Sequence, residues 1–140
     1  MHGIMREKSF YFDVSIWLDI YEKRGYNGEA AKFLLKNIIE EDCSVLYSDL
    51  LIAELKRVGY TKEEIRVLLG IVKAENLKRV HIYPEEIKEA TTIAVKRTVP
   101  KADALHAILA RDNAAQLISR DWDFTKLKDI TKAKLPEDIK

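Results

Sequence analysis

The sequence contains one cysteine, three prolines and five glycines among 140 residues. Because Cys43 has no second cysteine to pair with, the chain cannot form an intramolecular disulfide. No stretch rich in proline, glycine or serine divides the chain, and no internal repeat is visible. With 47% hydrophobic residues, the chain is long enough to bury a sizeable core, and we predict one domain over residues 1–140.

The chain also lacks a long apolar segment. No apolar stretch of signal-peptide length precedes the charged residues Arg6, Glu7 and Lys8, so we expect a cytoplasmic protein. The longest apolar runs, such as residues 102–110, are short and interrupted by polar side chains. They cannot span a bilayer, and we predict no membrane insertion.

An excess of charge of one sign is missing as well. The chain has 24 basic and 23 acidic residues, a net charge of +1. A strongly basic nucleic-acid-binding domain is therefore excluded, and any contact with nucleic acid must come from a local patch.

Short apolar runs alternate with longer segments of helical period, a pattern typical of an α/β domain around a parallel sheet. The predicted strands are residues 9–12, 44–47, 79–83 and 116–119, with a short edge strand near Ile130. Three helices are predicted in the first half of the chain: residues 15–22 capped by Ser15, a helix that begins at its N-cap Asn27, and a helix capped by Ser48 and ended by Gly59. A fourth helix, residues 61–76, is opened by the capping box of Thr61 and Glu64. The last two predicted helices, residues 84–96 and 100–112, begin at prolines. Leu51, Leu55 and Val58 form the predicted apolar side of the helix after Ser48.

Two acids stand at predicted strand ends. Asp13 follows the first strand directly, and Asp121 lies just beyond the last. In an open α/β sheet ligands bind at that edge, and carboxylates from distant strands can converge there. Taken alone, each residue is also explained by the frequency of aspartate in turns that follow strands.

Two further acids lie on predicted helices. Glu54 interrupts the apolar stripe of its helix, and a buried carboxylate needs a partner, a metal ion or a cleft. A glutamate at the edge of the stripe that reaches solvent, or that pairs with a basic residue, is the alternative. Asp103 lies in the first turns of its helix, where the helix dipole alone favours an anion. Small residues on its helix face, Ala107 and Ala110, leave room for other groups to approach.

Four acids in one place would repel one another and raise one another's pKa values unless cations neutralise them. Divalent metal is the natural cation, and an all-oxygen set of ligands favours Mg²⁺ or Mn²⁺. No cysteine or histidine cluster has the spacing of a zinc site. Such metals activate water and stabilise charge on a phosphodiester, which predicts hydrolysis without a covalent enzyme intermediate.

Four stretches of the chain resemble the motifs of the PIN-domain family, which includes many VapC-like toxins. They are residues 12–15 (FDVS), 51–55 (LIAEL), 100–107 (PKADALHA) and 117–124 (LISRDWDF). Their order and spacing agree with the family from the start of the chain almost to its end. The last two motifs together are the more specific pair.

The resemblance implies a three-layer α/β/α sandwich with a short parallel sheet, and a metal-dependent endoribonuclease. By the same resemblance, Asp13, Glu54, Asp103 and Asp121 would be the catalytic, metal-binding acids, Asp123 an auxiliary metal-binding acid, and Ser15 and Ser119 polar groups that orient them. It also implies a homodimer and, for the toxin branch, a small antitoxin partner.

Several other residues have two interpretations. Lys101 and Arg120 lie near the last two acids and are candidates for RNA-phosphate contacts, although solvated basic residues are common. Trp122 can stack on a base or pack in the core. His106 lies one helical turn from Asp103, and we interpret it as structural and outside the catalytic set. Trp17, Tyr21 and Phe33 are assigned to the core or to a dimer surface.

Two other classes of function compete with a nuclease. Phosphotransfer through Asp13 fits poorly, because a dehalogenase-like site requires a second aspartate where Ser15 stands. The alternative outside enzymes is a catalytically degenerate RNA- or protein-binding PIN module. Manganese-dependent RNA cleavage that a chelator abolishes would separate the nuclease from both.

Overall fold

Four short parallel strands form the central sheet of this computed structural model, which describes residues 7–139. The strands are β1 (Ser9–Phe12), β2 (Ser44–Tyr47), β3 (Leu77–Arg79) and β4 (Gln116–Ile118). Their order across the sheet is β3-β2-β1-β4, and each neighbouring pair is parallel. The central position of β1 explains its continuous aromatic run, because a strand covered on both faces is buried at nearly every position. Phe10, Tyr11 and Phe12 are all fully buried.

Helices cover both faces of the sheet. They are α1 (Val14–Tyr21), α2 (Gly25–Glu40), α3 (Asp49–Arg57), α4 (Lys62–Leu69), α5 (Pro84–Arg97) and α6 (Lys101–Asp112). Since successive strand residues point to opposite faces, Phe10 and Phe12 pack in the core of α1 to α4, and Tyr11 packs in the core of α5 and α6. The result is the predicted three-layer α/β/α sandwich.

The first two helices begin at other residues than predicted. Asp13, not Ser15, is the N-cap of α1, because its carboxylate accepts a hydrogen bond from the Ile16 amide. The predicted N-cap Asn27 is also wrong, since α2 already begins at Gly25. Gly28 lets α2 approach α1 closely, because a Cβ atom at this position would lie 2.6 Å from the Asp19 carbonyl oxygen.

Two predictions in the middle of the chain need correction. Val58 is 62% exposed and terminates α3, so it does not belong to the buried side of that helix. The capping box of Thr61 and Glu64 is confirmed, but α4 ends at Leu69 and not near residue 76. Residues 74–76 form a short 3-10 turn, in which the buried Asn76 side chain donates to the Cys43 carbonyl at 2.7 Å.

The third strand and the end of the chain also differ from the prediction. β3 pairs Leu77 to Arg79 with β2, so most of the predicted strand 79–83 is loop. Helices α5 and α6 lie close to their predicted bounds, with Pro100 as the N-cap of α6 and not within its first turn. No edge strand occurs near Ile130 in residues 7–139. Instead, 3-10 segments span Trp122–Leu127 and Pro136–Asp138, and a parallel bridge joins Ile118 to Lys134.

The aromatic residues of the first two helices divide between core and surface. Trp17 is buried against Phe12, Tyr21 is partly buried beside Tyr60, and Phe33 is 67% exposed. Across residues 7–139, every helix is too short or too polar to cross a membrane. Residues 1–6, on which the expectation about a leader segment depends in part, lie outside the described residues.

Candidate metal centre

The carboxyl edge of the sheet brings the two strand-end acids together. Asp13 follows β1 and Asp121 lies beyond β4, and these two strands are neighbours in parallel pairing. The Asp13 amide donates to the Ile118 carbonyl at 3.2 Å, which continues the pairing up to the site. Two residues distant in sequence therefore reach one edge, as the strand assignment predicts.

A cleft of about 320 Å³ opens at this edge. Its lining includes Asp13, Glu54, Asp103 and Asp121, together with His106. Carboxylate oxygens of Asp103, Asp121 and Asp123 lie within 4.8 Å of one another. The four predicted acids thus face a common space, and Asp123 joins two of them in the tightest group.

Asp13 is the most rigidly held of these acids. It is buried, one carboxylate oxygen accepts from the Ser15 hydroxyl at 2.8 Å, and the other accepts from the Ser119 hydroxyl. Ser119 also accepts from the Asp121 amide at 2.9 Å, so one serine links two acids. Burial raises the pKa of Asp13 above its ordinary value, while these hydrogen bonds act in the opposite direction.

Glu54 is held by a buried polar chain that sequence reasoning missed. The Glu54 side chain is 14% exposed and contacts His106 Nε2 at 2.5 Å. His106 Nδ1 lies 2.7 Å from the Tyr11 hydroxyl, which lies 2.8 Å from the Ser48 hydroxyl. Burial raises the pKa of Tyr11, so its hydroxyl stays protonated. A basic partner was one alternative for Glu54, and Arg57 provides only a distant contact at 3.8 Å.

The signal for His106 was its position one helical turn after Asp103, which places both side chains on one face of α6. The contact between His106 and Tyr11 had no local signal in the sequence, because these two residues are 95 positions apart. The interpretation of His106 as a purely structural residue is therefore incomplete, since it lines the cleft and contacts a candidate ligand.

Asp103 shows the electrostatic effect expected of clustered acids. Burial, and then the nearby charges of Asp121, Asp123 and Glu54, raise the pKa of Asp103 to about 6, while His106 opposes the shift. Its position in the first turn of α6 would by itself favour the ionised form. Burial and the charges of neighbouring acids are thus the causes of the raised pKa of Asp103.

The two residues predicted to contact phosphate differ in their surroundings. The Arg120 guanidinium forms a two-pronged ion pair with Glu137, at 2.9 and 2.7 Å, and also lies 3.9 Å from Asp19. Lys101 is exposed at the start of α6 and has no ion pair within residues 7–139. Of these two residues, Lys101 alone has a cationic group without an ion pair in the described part of the chain, and phosphate contact by either residue stays a prediction.

The donor set fits a hard divalent cation. Every side chain offered by the tightest group is a carboxylate, which suits Mg²⁺ or Mn²⁺. His106 is the one cleft residue that would favour a softer metal, but Tyr11 and Glu54 already engage both of its ring nitrogens.

Comparisons with known proteins agree with this fold. The sequence model of the family described as PIN domain matches residues 10–130. Among curated protein sequences, no relative matches. Several solved structures are similar in fold. VapBC-1 from nontypeable Haemophilus influenzae has a TM-score of 0.66 at 14% identity, over 91% of this chain and 98% of that chain.

The second structure, VapBC2 from Rickettsia felis bound to a DNA fragment from their promoter, has a TM-score of 0.64 at 17% identity, over 91% of this chain and 98% of that chain. The third, a toxin-antitoxin complex from Klebsiella pneumoniae, has a TM-score of 0.63 at 18% identity, over 93% and 99%. At such identities the likeness concerns the fold.

Proposed function

This chain belongs to the PIN-domain family, and from that premise we propose that it is a divalent-metal-dependent endoribonuclease. The observation that carries the proposal is the convergence of Asp13, Glu54, Asp103 and Asp121 on one cleft at the carboxyl edge of the sheet. The charges of neighbouring acids raise the pKa of Asp103, and a cation bound among them would relieve this repulsion.

In the proposed mechanism Asp103, Asp121 and Asp123 hold the metal, with Asp13 and Glu54 completing the set. A bound Mg²⁺ or Mn²⁺ would supply an activated water and stabilise negative charge on the phosphodiester. Ser15 and Ser119 hold the Asp13 carboxylate in one orientation, and His106 holds Glu54. These contacts fix the positions of the acids before substrate arrives, which is how outer contacts support a metal site.

The direct test is cleavage of a panel of single-stranded and structured RNAs with Mn²⁺ or Mg²⁺, with and without chelator. We expect cleavage only with metal, and we expect Asp121→Asn to reduce it by about 100-fold or more, since loss of even an outer-shell partner costs about 10- to 100-fold. Asp49→Asn is the matched control, because Asp49 lies outside the cleft and pairs with Arg79. Binding of RNA without cleavage by the parent would instead support a degenerate binding module.

We also propose that the protein is the toxin of a pair with a small antitoxin. The support comes from the solved structures of similar fold, one of which is a toxin-antitoxin complex. A groove of about 850 Å³ between α1, α2 and α4, with an apolar lining that includes Leu35, Ile39 and Val67, offers a surface for such a partner. Induced expression of the parent should arrest bacterial growth and that of Asp121→Asn should not. Equal growth of both strains would reject the toxin role.

A further inference from the structure

A second cleft, of about 580 Å³, adjoins the acidic one. It lies between the 3-10 segment that starts at Trp122 and the chain that returns along β4, and it shares Arg120, Asp121 and Phe124 with the acidic cleft. The two clefts therefore meet at Asp121, and a ligand extended through both would pass the acids.

Trp122 is presented at the rim of this second cleft. Its side chain is 83% exposed, although it stands between two acids of the cluster. The same 3-10 segment is anchored by Phe124 and Leu127, which are buried in the core of α5 and α6, and the Thr125 hydroxyl donates to the Trp122 carbonyl at 2.8 Å. The core is thus filled by its neighbours, and the indole is held outward on an anchored segment.

Three lysines line the same cleft. Lys128, Lys132 and Lys134 are exposed, and within residues 7–139 none of their ammonium groups has an ion pair or hydrogen bond. The arginines nearby are different, since Arg120 and Arg97 are each paired with a carboxylate. The acids in the lining are Asp121 and Asp138, so the three lysines leave an excess of positive charge.

The backbone fixes the position of two of these lysines. The Ser119 amide donates to the Lys134 carbonyl at 3.1 Å, and the Lys134 amide donates to the Leu117 carbonyl at 3.0 Å. The Gln116 side chain donates to the Lys132 carbonyl at 2.7 Å. The lysines therefore stand along β4, the strand that also leads to Asp121.

We propose that this second cleft binds the single-stranded nucleotides of an RNA substrate that flank the scissile phosphate, with Trp122 stacking on a base and the lysines contacting phosphates. The inference rests on the proposed nuclease function for the identity of the strand. An indole face can stack only on a base that is free of duplex stacking, and stacking next to a cationic groove is the general mode of single-strand binding. The carboxylates of the acidic cleft repel phosphates, so cationic side chains beside the cleft favour binding of the strand.

The test is binding of a fluorescein-labelled oligouridylate to the parent protein in chelator, so that no cleavage occurs. We expect Trp122→Ala to weaken binding about 10-fold or more and Trp122→Phe to retain most of it. Lys132→Ala and Lys134→Ala should each reduce the salt dependence of binding, whereas Lys88→Ala, an exposed lysine on α5, should not.

Intrinsic fluorescence gives a second readout. The chain has two tryptophans, and Trp17 is buried, so quenching on addition of unlabelled oligouridylate reports Trp122. Quenching in the parent, together with loss of binding in Trp122→Ala, supports binding of the strand in the second cleft. If the parent nevertheless cleaves no RNA, the nuclease proposal fails and the binding proposal stands. Three results would overturn the inference: no quenching, unchanged binding by Trp122→Ala, or equal affinity for duplex RNA. If the parent still cleaves RNA in a metal-dependent way, the nuclease proposal stands without the inference.

Discussion

Replacing Asp103 with asparagine should stabilise the metal-free protein. The pKa of Asp103 is about 6 in the folded chain, against an ordinary value of 3.8, because of burial and the charges around it. Ionising this carboxyl therefore opposes folding, and at 1.36 kcal/mol per pKa unit the upper limit of the effect is about 3 kcal/mol. The side chain is only half-buried, so solvent screening reduces the expected value to about 1.5 kcal/mol.

Asparagine also loses a favourable interaction with the amino terminus of α6, which is worth about 0.3–1 kcal/mol. The net gain is then about 1 kcal/mol, or an increase in Tm of about 3–4 °C for a chain of this length. The size of this gain in stability depends on pH. Since the folded-state pKa is raised, the contribution of Asp103 to stability is complete below 3.8 and is lost as the pH rises through about 6. The advantage of asparagine should be absent below pH 3.8, grow between pH 3.8 and about 6, and be complete above that range.

The assay is thermal unfolding in chelator, for the parent, Asp103→Asn and Asp49→Asn, across this pH range. Asp49 is the matched control, because it lies in the first turn of α3 but pairs with Arg79 away from the cluster. Its replacement should lower Tm slightly at neutral pH. If Asp103→Asn is also less stable than the parent above pH 6, then Asp103 is a helix-terminus residue and the acids do not repel one another.

Four further predictions concern metal binding, helix packing and assembly. A free Mn²⁺ concentration of 100 times its Kd should stabilise the parent by about 2.7 kcal/mol, which raises Tm by several degrees. Asp103→Asn should lose most of this increase. The absence of any shift in the parent would argue against a metal site. His106→Leu should weaken Mn²⁺ binding by about 10- to 100-fold in calorimetric titration, with partial recovery in His106→Gln, and equal affinity in all three proteins would show that His106 does not position Glu54. Gly28→Ala should lower the free energy of unfolding by about 1–3 kcal/mol in urea titration, because its Cβ would meet the Asp19 carbonyl, whereas a neutral result would mean that α2 moves freely away from α1. Light scattering should give a dimer mass for the parent and a smaller mass for Phe33→Lys, and a monomeric parent at high concentration would contradict the homodimer.

The strands that lead to Asp13 and Asp121 were predictable from the sequence. Each is a short apolar run, as expected of a strand that the sheet buries. β1 and β2 have their predicted bounds, and β4 ends one residue early. β3 was misplaced for a physical reason. Residues 79–83 have the composition of a strand, but the register is fixed by the pairing of Leu77 with Val45 and by the Asn76 side chain, which no local pattern reveals.

Side-chain roles were harder to predict than positions. Asp13 and Ser15 are both good capping residues, and only the folded chain shows that Asp13 caps α1 while it also faces the cleft. The sequence allowed Trp122 to lie either in the core or at the surface. In the folded chain Phe124 occupies the core and Trp122 is exposed. Such competition between neighbours is decided by packing and not by propensity.

The pairing of β1 with β4 has a consequence for how the protein is made. Asp13 is synthesised 106 residues before Ser119, and the hydrogen bond between them exists only after β4 has docked beside the central strand. A growing chain on the ribosome therefore carries the first acid of the site long before it can acquire the others. Any chemistry that requires the whole cluster is delayed until β4 and the residues that follow it have been synthesised and have docked.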